Sequence, residues 1–391
     1  MTATIHGVNL GNWLVLEKWM SPNLFADCPA EDEYYLARDL PEDVYTARIR
    51  MHRAEWVTER DFVQMAGWGM TSVRIPVPYF VFGDRAPFLG CIDELDRAFA
   101  WAQRWDLTIL LDLHTVPGSQ NGFDNGGISG VCTWASQPDE VDFALSVLAR
   151  LAERYGSHPA LAGIEVLNEP NTTTSWQAFD VMDRYPPRDP DLARGSGPVT
   201  FDFLEEFYGR AYDTIRSRTD RSVPVVFHDG FDLTRWGRFF DRFDNVILDT
   251  HQYLMLAETQ GCDQAAEGYA AYIRDHYVPQ LRSVAATVPL IVGEWSLFNS
   301  AGCGVDTHGG RSVLNGEEGA TGETLGAEEK RALYRALADA QLAAWNEGVG
   351  HYFWNFKLAI DTVGEPGWVG WDSWDLGRCV GQGWFPTTTT R

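Results

Sequence analysis

The chain has 391 residues, 45% of them hydrophobic, and its 31 basic and 55 acidic side chains leave a formal charge of −24. So acidic a surface repels phosphate backbones and anionic lipids, which excludes a nucleic-acid partner. No run of roughly 18 apolar residues is present to cross a membrane.

The residues from Met1 to Gly7 carry neither a basic region nor an apolar leader and pass almost at once into a strand-like segment, so the chain is expected to be cytoplasmic. Short apolar runs predict strands at 5–10, 71–76, 107–113, 161–167, 223–228, 245–250, 289–293 and 349–354. Helix-like patterns fall between them, near 57–68, 92–105, 139–155, 201–218, 232–241, 264–284 and 326–347. The clearest is 326–347. Glu328 and Glu329 open it, Leu333, Leu337, Ala340 and Ala344 share one face, and Gly348 closes it. Residues 371–381 suit a last, short helix. Eight strands alternating with helices predict an α/β fold, a (β/α)8 TIM barrel, filling 1–391 as a single catalytic domain.

Three connections exceed simple barrel turns: 14–56, 170–200 and the Gly-rich 295–325. All leave the C-terminal ends of strands, the face where such barrels bind ligands, and long loops there shape access. Residues 14–56 and 112–130 are expected to build a blind pocket, with Arg184 and Arg188 of 170–200 reaching over the part of a ligand that leaves. The threonines at 387–390 read as a frayed end. Six cysteines without a CxxC pair exclude a zinc ribbon or dithiol site and suit a reducing compartment. Of 16 tryptophans, Trp13, Trp19, Trp295, Trp354, Trp368, Trp371 and Trp374 fall near strand ends, where indoles stack on the C–H faces of sugars or simply pack.

Two strand ends carry the chemistry. Leu167-Asn168-Glu169-Pro170 follows the fourth strand, and Val292-Gly293-Glu294-Trp295 ends the seventh. Two carboxylates on one rim are the minimum equipment for cutting a glycosidic bond with retention. Glu169 suits the acid/base, which must be protonated at rest. Glu294 suits the nucleophile, which must be ionised. Asn168 is placed to bond a sugar 2-hydroxyl. Arg74, in Val73-Arg74-Ile75-Pro76, is expected to hold Glu294 ionised, and Tyr253 to add a hydrogen bond. His228-Asp229, ending the fifth strand, reads as a supporting pair. His114 and His251 lack metal-ligand spacing, so neither metal nor cofactor is expected.

The ordered set Arg74, His114, Asn168 with Glu169, His251 with Tyr253, Glu294 and Trp354 resembles glycoside hydrolase family 5, the cellulase family, over essentially the whole chain. GVNLGNWLVLEKWM (7–20) and DLHTVPGSQNGFDNGG (112–127) resemble its exo-β-1,3-glucanase branch. The resemblance implies that Glu17 and Asp124, with Asn125 nearby, bind a terminal sugar, and that Phe123 is half of an aromatic clamp. Leu256 stands where the other half would be, and Phe356 where the fungal members prefer tryptophan. Bacterial cytoplasmic β-glycosidases and β-mannosidases of the family are also similar.

The expectation is a retaining, exo-acting β-glycosidase that removes a terminal glucosyl or mannosyl residue from short oligosaccharides or other β-glycosides. A β-mannosidase acting on N-glycan core fragments such as Man-β-1,4-GlcNAc is the nearest alternative. A non-catalytic carbohydrate-binding barrel is the alternative of another class.

Overall fold

The computed structural model describes residues 4–303, 325–362 and 371–387. Its strands are β1 (Ile5–Asn9), β2 (Ser72–Val77), β3 (Thr108–Leu113), β4 (Leu161–Glu165), β5 (Val225–His228), β6 (Val246–His251), β7 (Leu290–Trp295) and β8 (Gly350–Phe353). They follow one another in sequence order around a closed barrel. The β2·β3, β3·β4, β4·β5, β5·β6, β7·β8 and β8·β1 pairs are parallel. Every residue of β2 and β7 is buried. Both faces of these strands are covered, so their sequences run apolar without the alternation of a half-exposed strand.

Helices Glu59–Gly67, Ile92–Arg104, Pro138–Tyr155, Phe201–Arg216 and Ala327–Trp345 lie where the pattern predicts them. The 264–284 stretch is helical but broken, as Ala266–Tyr272, a π turn Ile273–Tyr277, and Val278–Ala285. The expected helix at 232–241 does not form. Only a short 3-10 turn, Phe239–Arg242, is present, and Gly237, inside the expected span, takes left-handed backbone that a helix cannot accommodate. The long connections carry helices of their own: Glu33–Asp39 and Glu42–Trp56 in the first, Thr173–Phe179 and Val181–Arg184 in the second. Asp32 caps the first of these by accepting from Tyr35 N. Trp368, most of 295–325 and the final threonines lie outside the described residues.

The chain divides into two compact units: Met1–Asn9, Gly67–Met70 and His251–Arg391 in one, Leu10–Ala66 and Thr71–Thr250 in the other. The larger unit buries Leu36, Tyr45, Ile49, Phe80 and Phe88 together beneath its added helices. The Phe80 and Phe88 rings stack at 4.3 Å. In the smaller unit, Trp295 packs between Trp345, Phe353 and Phe385. Its indole donates to His351, whose imidazole is driven down to about 3 by burial and stays neutral.

Candidate active site

In the larger unit the site is built on a buried arginine. Arg74 projects from β2 with no solvent exposure. Its Nε donates to Glu165 Oε2 at 2.8 Å, and one Nη donates to Asn168 Oδ1 at 2.7 Å and pairs with Asp112 Oδ2 at 3.0 Å. Strand register sets this up, because Asp112 of β3 and Glu165 of β4 are direct Cα partners. Burial pushes Glu165 well above the usual carboxylate range, and the guanidinium opposes that rise. His114 continues the network. Its Nδ1 lies 2.6 Å from Asp112 Oδ2, and its Nε2 lies 3.4 Å from Asn168 Nδ2. Donation from Nδ1 to the carboxylate leaves Nε2 to accept from the amide. The Asn168 side chain is thereby fixed at both ends, with Gln120 Nε2 bonded to its backbone carbonyl at 2.8 Å.

Glu169 follows in left-handed backbone, at φ 42°. A non-glycine residue held there costs about 1–3 kcal/mol and persists only when its surroundings enforce it. Enforcement comes from the motif loop after β3. Asn125 Nδ2 donates to Glu169 Oε2 at 2.9 Å, and Asn121 Nδ2 holds Asn125 Oδ1 at 3.0 Å. Asn171, just beyond Glu169, donates to the Asn121 carbonyl. Gly126 is required where it stands, since a Cβ would sit 2.3 Å from both Asn121 Oδ1 and Ser119 Oγ. Asp124 and Phe123 of the same loop remain half-exposed.

Glu17 is almost wholly buried, and its Oε2 accepts from the Trp19 indole at 2.8 Å. Asn12, also in left-handed backbone, receives the Glu17 amide on its side chain. His228 and Asp229 stand at and just after the end of β5, where His228 Nδ1 accepts from the Gly230 amide. Asp229 accepts from Thr250 and from the Phe231 amide, shaping the turn after β5.

In the smaller unit, Glu294 lies in β7, nearly out of solvent. Its Oε2 accepts from the Tyr253 phenol at 2.7 Å and lies 3.5 Å from His251 Nδ1. Its own carbonyl accepts from the Gln252 amide, joining the end of β6 to β7. Asn9 Nδ2 donates to the carbonyl of Gly293 next door. Trp354 is buried after β8, its backbone amide bonded to Trp295. Trp13 and Trp295 have no exposed surface, so they pack and cannot stack on a sugar.

Asp112, Glu165, Gln120 and Asn121 escape a reading of the sequence. For Glu165 a signal exists, a lone carboxylate inside an otherwise apolar strand run. The other three sit within the 112–127 motif without a chemical pattern of their own.

The profile described as Cellulase (glycosyl hydrolase family 5) matches residues 42–357. Similar relatives include the "Probable glucan 1,3-beta-glucosidase A" of Aspergillus terreus, 34% identical over 98% of this chain and 88% of that protein. The "Glucan 1,3-beta-glucosidase" of Kluyveromyces lactis is 30% identical over 99% of this chain and 89% of its own length. Among solved structures, the rutinosidase of Aspergillus niger superposes with a TM-score of 0.72 at 20% identity over 98% of both chains, a likeness of fold.

Proposed function

The chain belongs to the cellulase family, glycosyl hydrolase family 5, and is a β-glycoside hydrolase; from that premise we propose a retaining, exo-acting enzyme that removes one terminal β-linked sugar at a time. Glu294 attacks the anomeric carbon, and Glu169 gives its proton to the departing oxygen. Glu169, now ionised, takes a proton from water as the water breaks the glycosyl ester on Glu294. Two inversions give net retention. Asn168, Arg74, His114, His251 and Trp354 surround the scissile sugar. Glu17, Asp124 and Asn125 bind its outer hydroxyls, with Phe123 beside the leaving group.

The observation that carries this reading is the bond from Tyr253 to Glu294. A nearly buried carboxylate with a phenol donor at 2.7 Å is favoured as the anion that a nucleophile must be. Glucose is the sugar we propose, because relatives over the whole chain bear the name glucan 1,3-beta-glucosidase. A β-mannosidase acting on fragments such as Man-β-1,4-GlcNAc is the alternative, and its terminal mannose differs from glucose at the 2-hydroxyl alone. We also propose a cytoplasmic enzyme fed short oligosaccharides. Cys28, Cys91, Cys132, Cys262 and Cys379, all free, support a reducing compartment.

Glu294→Ala tests the mechanism. It should abolish turnover of p-nitrophenyl β-glucoside and regain it with azide, yielding the inverted glycosyl azide. A near-wild-type rate without azide removes Glu294 from the role. A panel of β-glucoside, β-mannoside, β-galactoside and β-fucoside identifies the sugar.

A further inference from the structure

Resting on the acid/base reading of Glu169 above, we propose that His228 is a positioning residue for that carboxyl: a neutral imidazole whose Nε2–H makes Glu169 a better proton donor to poor leaving groups. The backbone decides which ring nitrogen carries the hydrogen. The Gly230 amide, which can only donate, reaches His228 Nδ1 at 2.9 Å. Nδ1 is therefore the bare nitrogen, and the neutral ring carries its hydrogen on Nε2. A charged ring would carry hydrogens on both nitrogens and lose the Gly230 bond.

The ring is held in place from several sides. It has no exposed surface, and its residue ends β5 with Asp249 of β6 as Cα partner. The His228 carbonyl accepts from the Tyr208 phenol at 2.7 Å, and Phe231 packs edge-on at 5.2 Å. Asp229 lies 3.5 Å from Nδ1, but its oxygens accept from the Phe231 amide and from Thr250. The turn is also tied to the segment that carries Glu169. Thr172 Oγ1 donates to the Gly230 carbonyl at 2.9 Å.

A ring nitrogen of His228 and a carboxylate oxygen of Glu169 lie within 4.8 Å of each other. That range is covered by a direct contact or by one shared oxygen between them. Asn125 already grips Glu169 Oε2 from the loop after β3, so His228 supplies a neutral donor from the β5 side. An N–H beside a carboxyl favours its ionised form. Such a carboxyl parts more readily with its proton as the glycosidic bond breaks. The benefit is largest where the departing oxygen is a poor leaving group, since an activated one needs no proton.

Two substitutions separate the two nitrogens. In His228→Asn the amide oxygen can stand where Nδ1 stands and keep the Gly230 bond, but the side chain is too short to offer a donor at Nε2. In His228→Gln the amide reaches that position. The readout is kcat/KM on the methyl β-glycoside divided by kcat/KM on the 2,4-dinitrophenyl β-glycoside of the preferred sugar. Both rates come from one sample, so any loss of folded protein cancels. In His228→Asn the ratio should fall roughly tenfold, and His228→Gln should retain it. A role confined to the turn predicts the reverse order. An unchanged ratio in His228→Asn, or equal falls in both variants, overturns the proposal. Glu169→Gln is the control and should lower the ratio further. A wild-type ratio in Glu169→Gln overturns the acid/base reading on which the proposal rests.

Discussion

The Tyr253 phenol and Glu294 Oε2 are joined by a hydrogen bond of 2.7 Å that links the residues just after β6 to β7. A neutral donor bonded to an ionised acceptor is among the stronger hydrogen bonds a protein makes. The bond also orients the carboxylate.

Tyr253→Phe removes the donor and keeps the ring, which packs 5.3 Å from Trp374. A bond to a charged group is worth about 1.5–3 kcal/mol, so kcat should fall roughly 10–100-fold. Losing a donor disfavours the anion, so the acid limb of the pH–rate profile should move to higher pH. Steady-state kinetics from pH 4 to 8 measure both effects. An unchanged acid limb would separate Tyr253 from the ionisation of Glu294.

Arg74→Met should be the most damaging change for stability. It leaves Glu165 and Asp112 buried without their cation, a class of defect that costs about 3–5 kcal/mol. It also frees Asn168 Oδ1, so activity should fall in whatever fraction still folds. Urea unfolding gives the first effect, and kcat corrected for folded protein gives the second.

Asp32 gives the molecule a pH dependence away from the chemistry. Burial raises its carboxyl from 3.8 to about 6, against the backbone bonds from Ser129 and Tyr35 that lower it. The folded chain therefore binds this proton more tightly than the unfolded chain. The stability this group contributes is full below about pH 3.8, declines as pH rises toward 6, and is level above that. The decline is on the order of 3 kcal/mol. Asp32→Asn should flatten the pH dependence of unfolding between pH 4 and 6. Urea midpoints of the two proteins at pH 4, 5, 6 and 7 check it.

Much of this was legible in the chain. A buried strand needs a short apolar run, and each of the eight runs became a strand within about two residues of its expected bounds. Glu169 and Glu294 stand beyond or within such runs, which is why their sequence position already pointed to chemistry. Helix Glu42–Trp56 was not expected, although Tyr45, Ile49 and Trp56 recur at helical spacing on its buried face. The break in that stripe is Arg53, a charged residue that is buried because it donates to the carbonyls of Leu89 and Gly90. Helix 232–241 was expected between two strands and did not form; Gly237 within it takes left-handed backbone, whose sign no pattern of side chains reveals.

Apolar period and the order of polar residues at strand ends are local properties, and they determined the alternation of strand and helix and singled out the two carboxylates proposed for the chemistry. The partners of those groups are a different matter. Arg74 meets Glu165 across 91 residues because parallel register sets Asp112 beside Glu165, and Asn125 reaches Glu169 because the motif loop folds back over β4. Phe179 finds Phe123 only after two short helices form in a segment that looked like open loop. Such pairings depend on how the chain closes over long distances, where many sequences of the same local pattern differ, and so the tertiary structure alone decided them.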